Sequence, residues 1–112
     1  MSQLTPDSTF FLTNWSLLIM NVKEKMLSLC KQALDKWGND VQLIKIVEEL
    51  TELSLEIQHL RYGKSDIYEV KNELADVIIM LNQLMMILEI NNDDLNVVID
   101  SKLNKLDKKL TE

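Results

Sequence analysis

Val47-Glu48-Glu49-Leu50-Thr51-Glu52-Leu53 and Glu73-Leu74-Ala75-Asp76-Val77-Ile78-Ile79, separated by residues 54–72, decide how this chain is read. Each acidic cluster lies inside an apolar pattern of helical period. Carboxylates in such a setting are costly unless something compensates them. Residues three apart on an α-helix are neighbours on one face. Glu49 and Glu52 therefore project together from one helix, and Glu73 and Asp76 from another. Two antiparallel helices packed side by side bring all four carboxylates to one point. Four oxygen donors without Cys or His suit hard cations such as Mg²⁺ or Mn²⁺ rather than zinc.

The flanking sequence places both clusters on long helices. Leu43, Ile46, Val47, Leu50, Leu53, Ile57 and Leu60 recur at helical spacing and predict a helix from about Asp40 to Tyr62. Gly63-Lys64-Ser65-Asp66 is a turn. Val70, Leu74, Val77, Ile78, Leu81, Leu84 and Met85 predict a helix from about Asp66 to Leu88. That helix is apolar nearly all round beyond Leu74, which calls for a central position or a subunit interface. Before these two, Val22, Met26, Leu29, Cys30, Ala33 and Leu34 predict a helix over about Asn21 to Lys36, stopped at Trp37-Gly38. After them, Asn91-Asn92-Asp93-Asp94 is a break, and a last helix runs from about Asp94 to Leu110. Residues 1–20 form an apolar N-terminal arm, with Thr5-Pro6 as a helix start. Residues 21–112 form one domain.

Composition agrees with an all-α, four-helix-bundle-like fold. Only two Gly and one Pro interrupt a chain of 112 residues that is 46% hydrophobic. The formal net charge of −6, without a Lys/Arg stripe, argues against nucleic-acid binding. No apolar run reaches the roughly 18–20 residues needed to span a bilayer. The apolar stretch near the start lacks the basic residues of a secretory signal. A single cysteine, Cys30, fits a reducing cytoplasm and reads as a buried, inert thiol.

The order Glu48-Glu49-x-x-Glu52, spacer, Glu73-x-x-Asp76 resembles the signature of the MazG-like, all-α nucleoside triphosphate pyrophosphohydrolases. The resemblance covers roughly Met20 to Leu110. It implies Mg²⁺-dependent hydrolysis of a (deoxy)nucleoside triphosphate to the monophosphate and pyrophosphate, usually in nucleotide-pool housecleaning. By motif position it makes Glu49, Glu52, Glu73 and Asp76 metal ligands and puts Glu48, Glu49 and Glu52 in the catalytic machinery. Glu48 would steady the ligands or orient the attacking water. The resemblance also points to Trp37 and Gln42 for base or ribose contact, and to Lys102, Asn104 and Lys105 for the phosphates. It implies a homodimer or homotetramer. The chain lacks the Arg and the Tyr-Pro that relatives often carry near that end.

Rival readings stay open at this stage. A dimeric all-α dUTPase is a rival within the enzyme class. A di-iron bundle needs Glu-x-x-His from two helices, and this chain has it once, at Glu56-x-x-His59. A non-catalytic helical interaction module would need no metal.

Overall fold

The computed structural model describes residues 23–112, all of whose regular elements are helices. Helix α1 occupies residues 23–37 of this range, α2 Asn39–Arg61, α3 Ile67–Ile87 and α4 Asn92–Leu110. The N-terminal arm, with Thr5-Pro6, lies outside the described residues. No helix among the described residues is long and apolar enough to cross a membrane.

The helix ends follow from local chemistry. Gly38, at φ 89°, donates its N–H to the Leu34 carbonyl and separates α1 from α2 by one residue. The positive φ explains why a glycine stands there. Asp66 caps α3, its side chain accepting from the Glu69 N–H at 3.1 Å. Asn91 caps α4 in the same way, accepting from the Asp94 N–H at 2.8 Å. The stretch read as a break, Asn91-Asn92-Asp93-Asp94, is therefore mostly the first turn of α4, which begins two residues earlier than the pattern predicts. An Asn that disfavours a helix interior is a good helix start.

α2 and α3 pack as an antiparallel hairpin. Gln42, Ile46 and Glu49 are the buried residues of α2, and Val77, Met80 and Gln83 those of α3. The seam is in register. Gln42 bonds Gln83 at one end, and ten residues along each helix Glu52 meets Glu73. α1 lies against α3, where the buried Cys30 thiol donates to the Ile79 carbonyl at 3.6 Å.

α4 packs on neither α2 nor α3, and none of its residues is buried. Among the described residues, α2 and α3 thus pair with each other and not with α4. The radius of gyration, 16.9 Å, exceeds the about 13 Å of a compact chain of this length. α3, expected to be central or in a subunit interface, is only partly buried within the chain. Val77, Met80 and Gln83 are buried, while Leu74, Ile79, Leu81 and Leu88 keep 39–54% of their surface. Among the described residues the apolar core reduces to Cys30, Ile46, Val77 and Met80.

Candidate metal centre

The α2–α3 register brings Glu49, Glu52 and Glu73 together. One carboxylate oxygen from each lies within 4.8 Å of the other two. Glu49 is buried, Glu73 half-buried and Glu52 exposed, so the group runs from the seam to the surface. Three carboxylates this close repel one another. The Glu73 carboxyl is accordingly raised above its ordinary 4.5, first by burial, then by the charge of Glu52 and a hydrogen bond with it, and further by Glu49 and Asp76.

Compensation from the protein is partial. Lys45, one turn before Glu49, approaches Glu49 Oε1 at 3.5 Å. Glu49 Oε2 and Glu73 Oε2 are buried with no hydrogen-bond partner. The Glu49 side chain is only 10% exposed, so its orphaned oxygen lacks the water that would offset its burial. An all-oxygen set with two unsatisfied buried acceptors fits a hard divalent cation in donor chemistry and charge.

The remaining site residues are distributed differently. Asp76 is exposed and stands outside the three-oxygen group, although close enough to add to the repulsion on Glu73. The four-carboxylate cluster expected from spacing is thus three carboxylates with a fourth at its edge. Three-residue steps align Cβ atoms, but a pair straddling a seam cannot turn both side chains into it. Glu48 is exposed, 3.9 Å from Lys45, and also outside the group.

Gln42 is 4% exposed and donates a 2.6 Å hydrogen bond to Gln83. It is a polar tie within the seam rather than a group open to a nucleotide. Gln83, unremarked in the sequence pattern, is its buried partner; its position in phase with Val77 and Met80 was the available signal. Trp37, at the end of α1, is 54% exposed, with Lys36 Nζ 5.6 Å from its ring centroid. Lys102, Asn104 and Lys105 are exposed on α4, and α4 does not reach the hairpin, so a single chain does not bring them to the carboxylates.

Glu56 and His59 belong to a separate group at the far end of α2. Ser65 donates to Glu56 Oε2 at 2.6 Å, and His59 Nδ1 lies 3.7 Å from Glu56 Oε1. These contacts tie the 62–66 turn to α2. Met80 is buried in the seam, as a core filler would be.

Comparison of this chain with protein-family models, with curated proteins and with solved structures finds no match in any of the three.

Proposed function

We propose that this chain is a Mg²⁺-dependent nucleoside triphosphate pyrophosphohydrolase of the MazG-like kind, releasing a nucleoside monophosphate and pyrophosphate. The observation that carries the reading is the trio Glu49, Glu52 and Glu73 with two orphaned buried oxygens. The motif order supports it. Glu49, Glu52 and Glu73 would hold the cation, with Asp76 beside them. Mn²⁺ is the expected substitute for Mg²⁺.

The bound cation supplies the charge that offsets a triphosphate and the acidity that makes a water nucleophilic. The chain's own residues do the rest. Lys45 restrains Glu49 from the next turn of α2. Glu48, on the exposed side of the same helix, orients the attacking water and accepts its proton at the carboxylate. Hydrolysis between the α- and β-phosphates needs little covalent chemistry from the protein, so position and charge account for most of the rate. The protein acts in the cytoplasm as a homodimer or homotetramer. The small core among the described residues, and an α4 that packs on neither α2 nor α3, support that assembly.

The test is turnover of a panel of canonical and modified (d)NTPs with Mg²⁺. Pyrophosphate release that falls at least 100-fold in Glu52→Gln is the expected result. Preference for dUTP alone would move the assignment to the dUTPase reading. Absence of turnover on every nucleotide, with no response to Mg²⁺, would favour a non-catalytic interaction module, which the exposed apolar surface also suits.

A further inference from the structure

A groove of about 240 Å³ opens between α1 and α3. Lys25, Met26, Leu29 and Cys30 line it from α1, and Ile79 and Gln83 from α3. Its surface is almost wholly apolar, Lys25 contributing its hydrocarbon stem. Cys30 and Gln83 are buried at its floor, while Leu29 and Ile79 on its walls keep 52% and 41% of their surface. Half-exposed aliphatic walls over a buried floor form a seat for an apolar side chain.

Size and position narrow what can fill it. A cavity of about 150 Å³ is enough to bind benzene, so this groove admits a larger aromatic side chain. It lies along the first turns of α1, directly after residue 22. Leu29 is seven residues beyond that point, about 10 Å along the helix. Trp15 is seven residues before it, a reach of about 23 Å when extended. Trp15 can therefore turn back onto the groove. Charge selects the same stretch. Residues 8–22 contain no Asp, Glu, Lys or Arg, the longest such run in the chain, and carry Phe10, Phe11, Trp15, Leu17, Leu18 and Ile19. In a sequence that is 27% charged, this is a stretch whose burial strands no charge.

We propose that this groove is the seat of the chain's own N-terminal arm: residues 10–20 fold back across it, and Trp15 lodges between α1 and α3 against Leu29 and Ile79. Tethering favours this occupant over a second copy. A segment joined by a few residues acts at a millimolar effective concentration, about a thousandfold above that of a second copy at micromolar concentration. The other long uncharged run, residues 77–88, belongs to the end of α3 and supplies the groove's own Ile79 and Gln83. The docked arm adds to an apolar core that, among the described residues, is only Cys30, Ile46, Val77 and Met80. The arm precedes the stretch that resembles the pyrophosphohydrolases, so this role stands apart from that reading.

Trp15 fluorescence in the full chain provides the test, with Trp37→Phe removing the second tryptophan. Trp15 should emit to the blue of a free indole and resist quenching by acrylamide. Leu29→Gln and Ile79→Gln, at positions already half-exposed, should each lower the docked-to-free ratio about tenfold, read as a red shift and faster quenching. Leu27→Gln is the control. That side chain is 42% exposed on α1 but does not line the groove, and its replacement should change neither reading. If Trp37→Phe fails to fold, the same three substitutions are compared in the two-tryptophan parent, where Trp37 contributes equally to each. A Trp15 quenched as fast as free indole in the parent overturns the proposal. So does protection that Leu29→Gln and Ile79→Gln leave intact, or that Leu27→Gln removes as readily. Protection lost on dilution from micromolar to nanomolar concentration would make the occupant a second copy's arm and overturn the same-chain assignment.

Discussion

Gln42 and Gln83, joined by a 2.6 Å hydrogen bond, lie ten residues from Glu52 and Glu73 respectively, so the amide pair and the carboxylate pair mark two ends of one register. Ile46, Val77 and Met80 fill the seam between them. A slip of one turn would bury different side chains and separate the carboxylates. The amide tie is thus a structural condition for the acidic group.

Replacing one partner of this tie leaves a buried amide unsatisfied, at a cost of about 1–3 kcal/mol. Gln83→Leu and Gln42→Leu should each lower the urea midpoint by that amount. The double replacement should cost less than the sum, because two apolar side chains satisfy each other. A double-mutant cycle in urea measures the coupling, and additivity would show that the two amides act independently.

Glu49, Glu52 and Glu73 repel one another until a cation joins them, so Mg²⁺ should stabilise the fold. At one hundred times the dissociation constant the gain is about 2.7 kcal/mol. At about 4–8 °C per kcal/mol for a domain near this size, the melting temperature should rise by roughly 10–20 °C. Glu52→Gln should melt higher than the parent without metal, since one repulsive charge is gone, and respond little to Mg²⁺. Differential scanning fluorimetry with and without EDTA reads both effects.

The raised Glu73 carboxyl sets the sign of a pH effect. In the metal-free folded protein this group holds its proton at pH values where the unfolded chain has released it. The folded state therefore binds more protons in the window above 4.5, and stability linked to Glu73 grows as the pH falls through its raised value. Above that value the contribution is lost. The parent should gain stability relative to Glu73→Gln as the pH falls from neutrality toward 4.5 without metal. Saturating Mg²⁺ should remove the difference, because a liganded carboxylate is deprotonated throughout.

The sequence made much of this legible, in proportion to how local the physics was. Helical period and capping residues located α2 and α3 to within a residue or so, because both depend on neighbours along the chain. Three-residue spacing brought Glu49, Glu52 and Glu73 onto facing surfaces. It overreached at Asp76, whose inclusion depends on which side of the seam a side chain leaves. Gln42 suggested a ligand contact because an amide beside an acidic motif offers hydrogen bonds; its partner Gln83 is 41 residues away, and periodicity along one helix places Gln83 on the buried line without saying which residue it meets. That α4 packs on neither α2 nor α3 was equally hidden, since an amphipathic stripe records that a partner exists without saying whose.

One further local feature escaped the pattern and yields a test with its own control. α2 and α3 end in the same hydrogen-bonded motif. Lys64 N–H reaches the His59 carbonyl at 2.8 Å around Gly63, and Ile90 N–H reaches the Met85 carbonyl at 2.9 Å around Glu89. The central residue is left-handed in both, at φ 71° for Gly63 and 54° for Glu89. Glycine adopts that conformation freely, whereas a side-chain-bearing residue is held there at a cost of roughly 1–2 kcal/mol. Glu89→Gly should therefore stabilise the protein by about 1 kcal/mol, the relief exceeding the added freedom of the unfolded chain. Gly63→Ala should destabilise it by a similar amount. A Cβ at Gly63 would meet nothing within 4 Å, so its penalty is purely conformational. Thermal or urea unfolding should show opposite shifts for the two substitutions; shifts of the same sign would mean that the α3–α4 turn is held by something other than this motif.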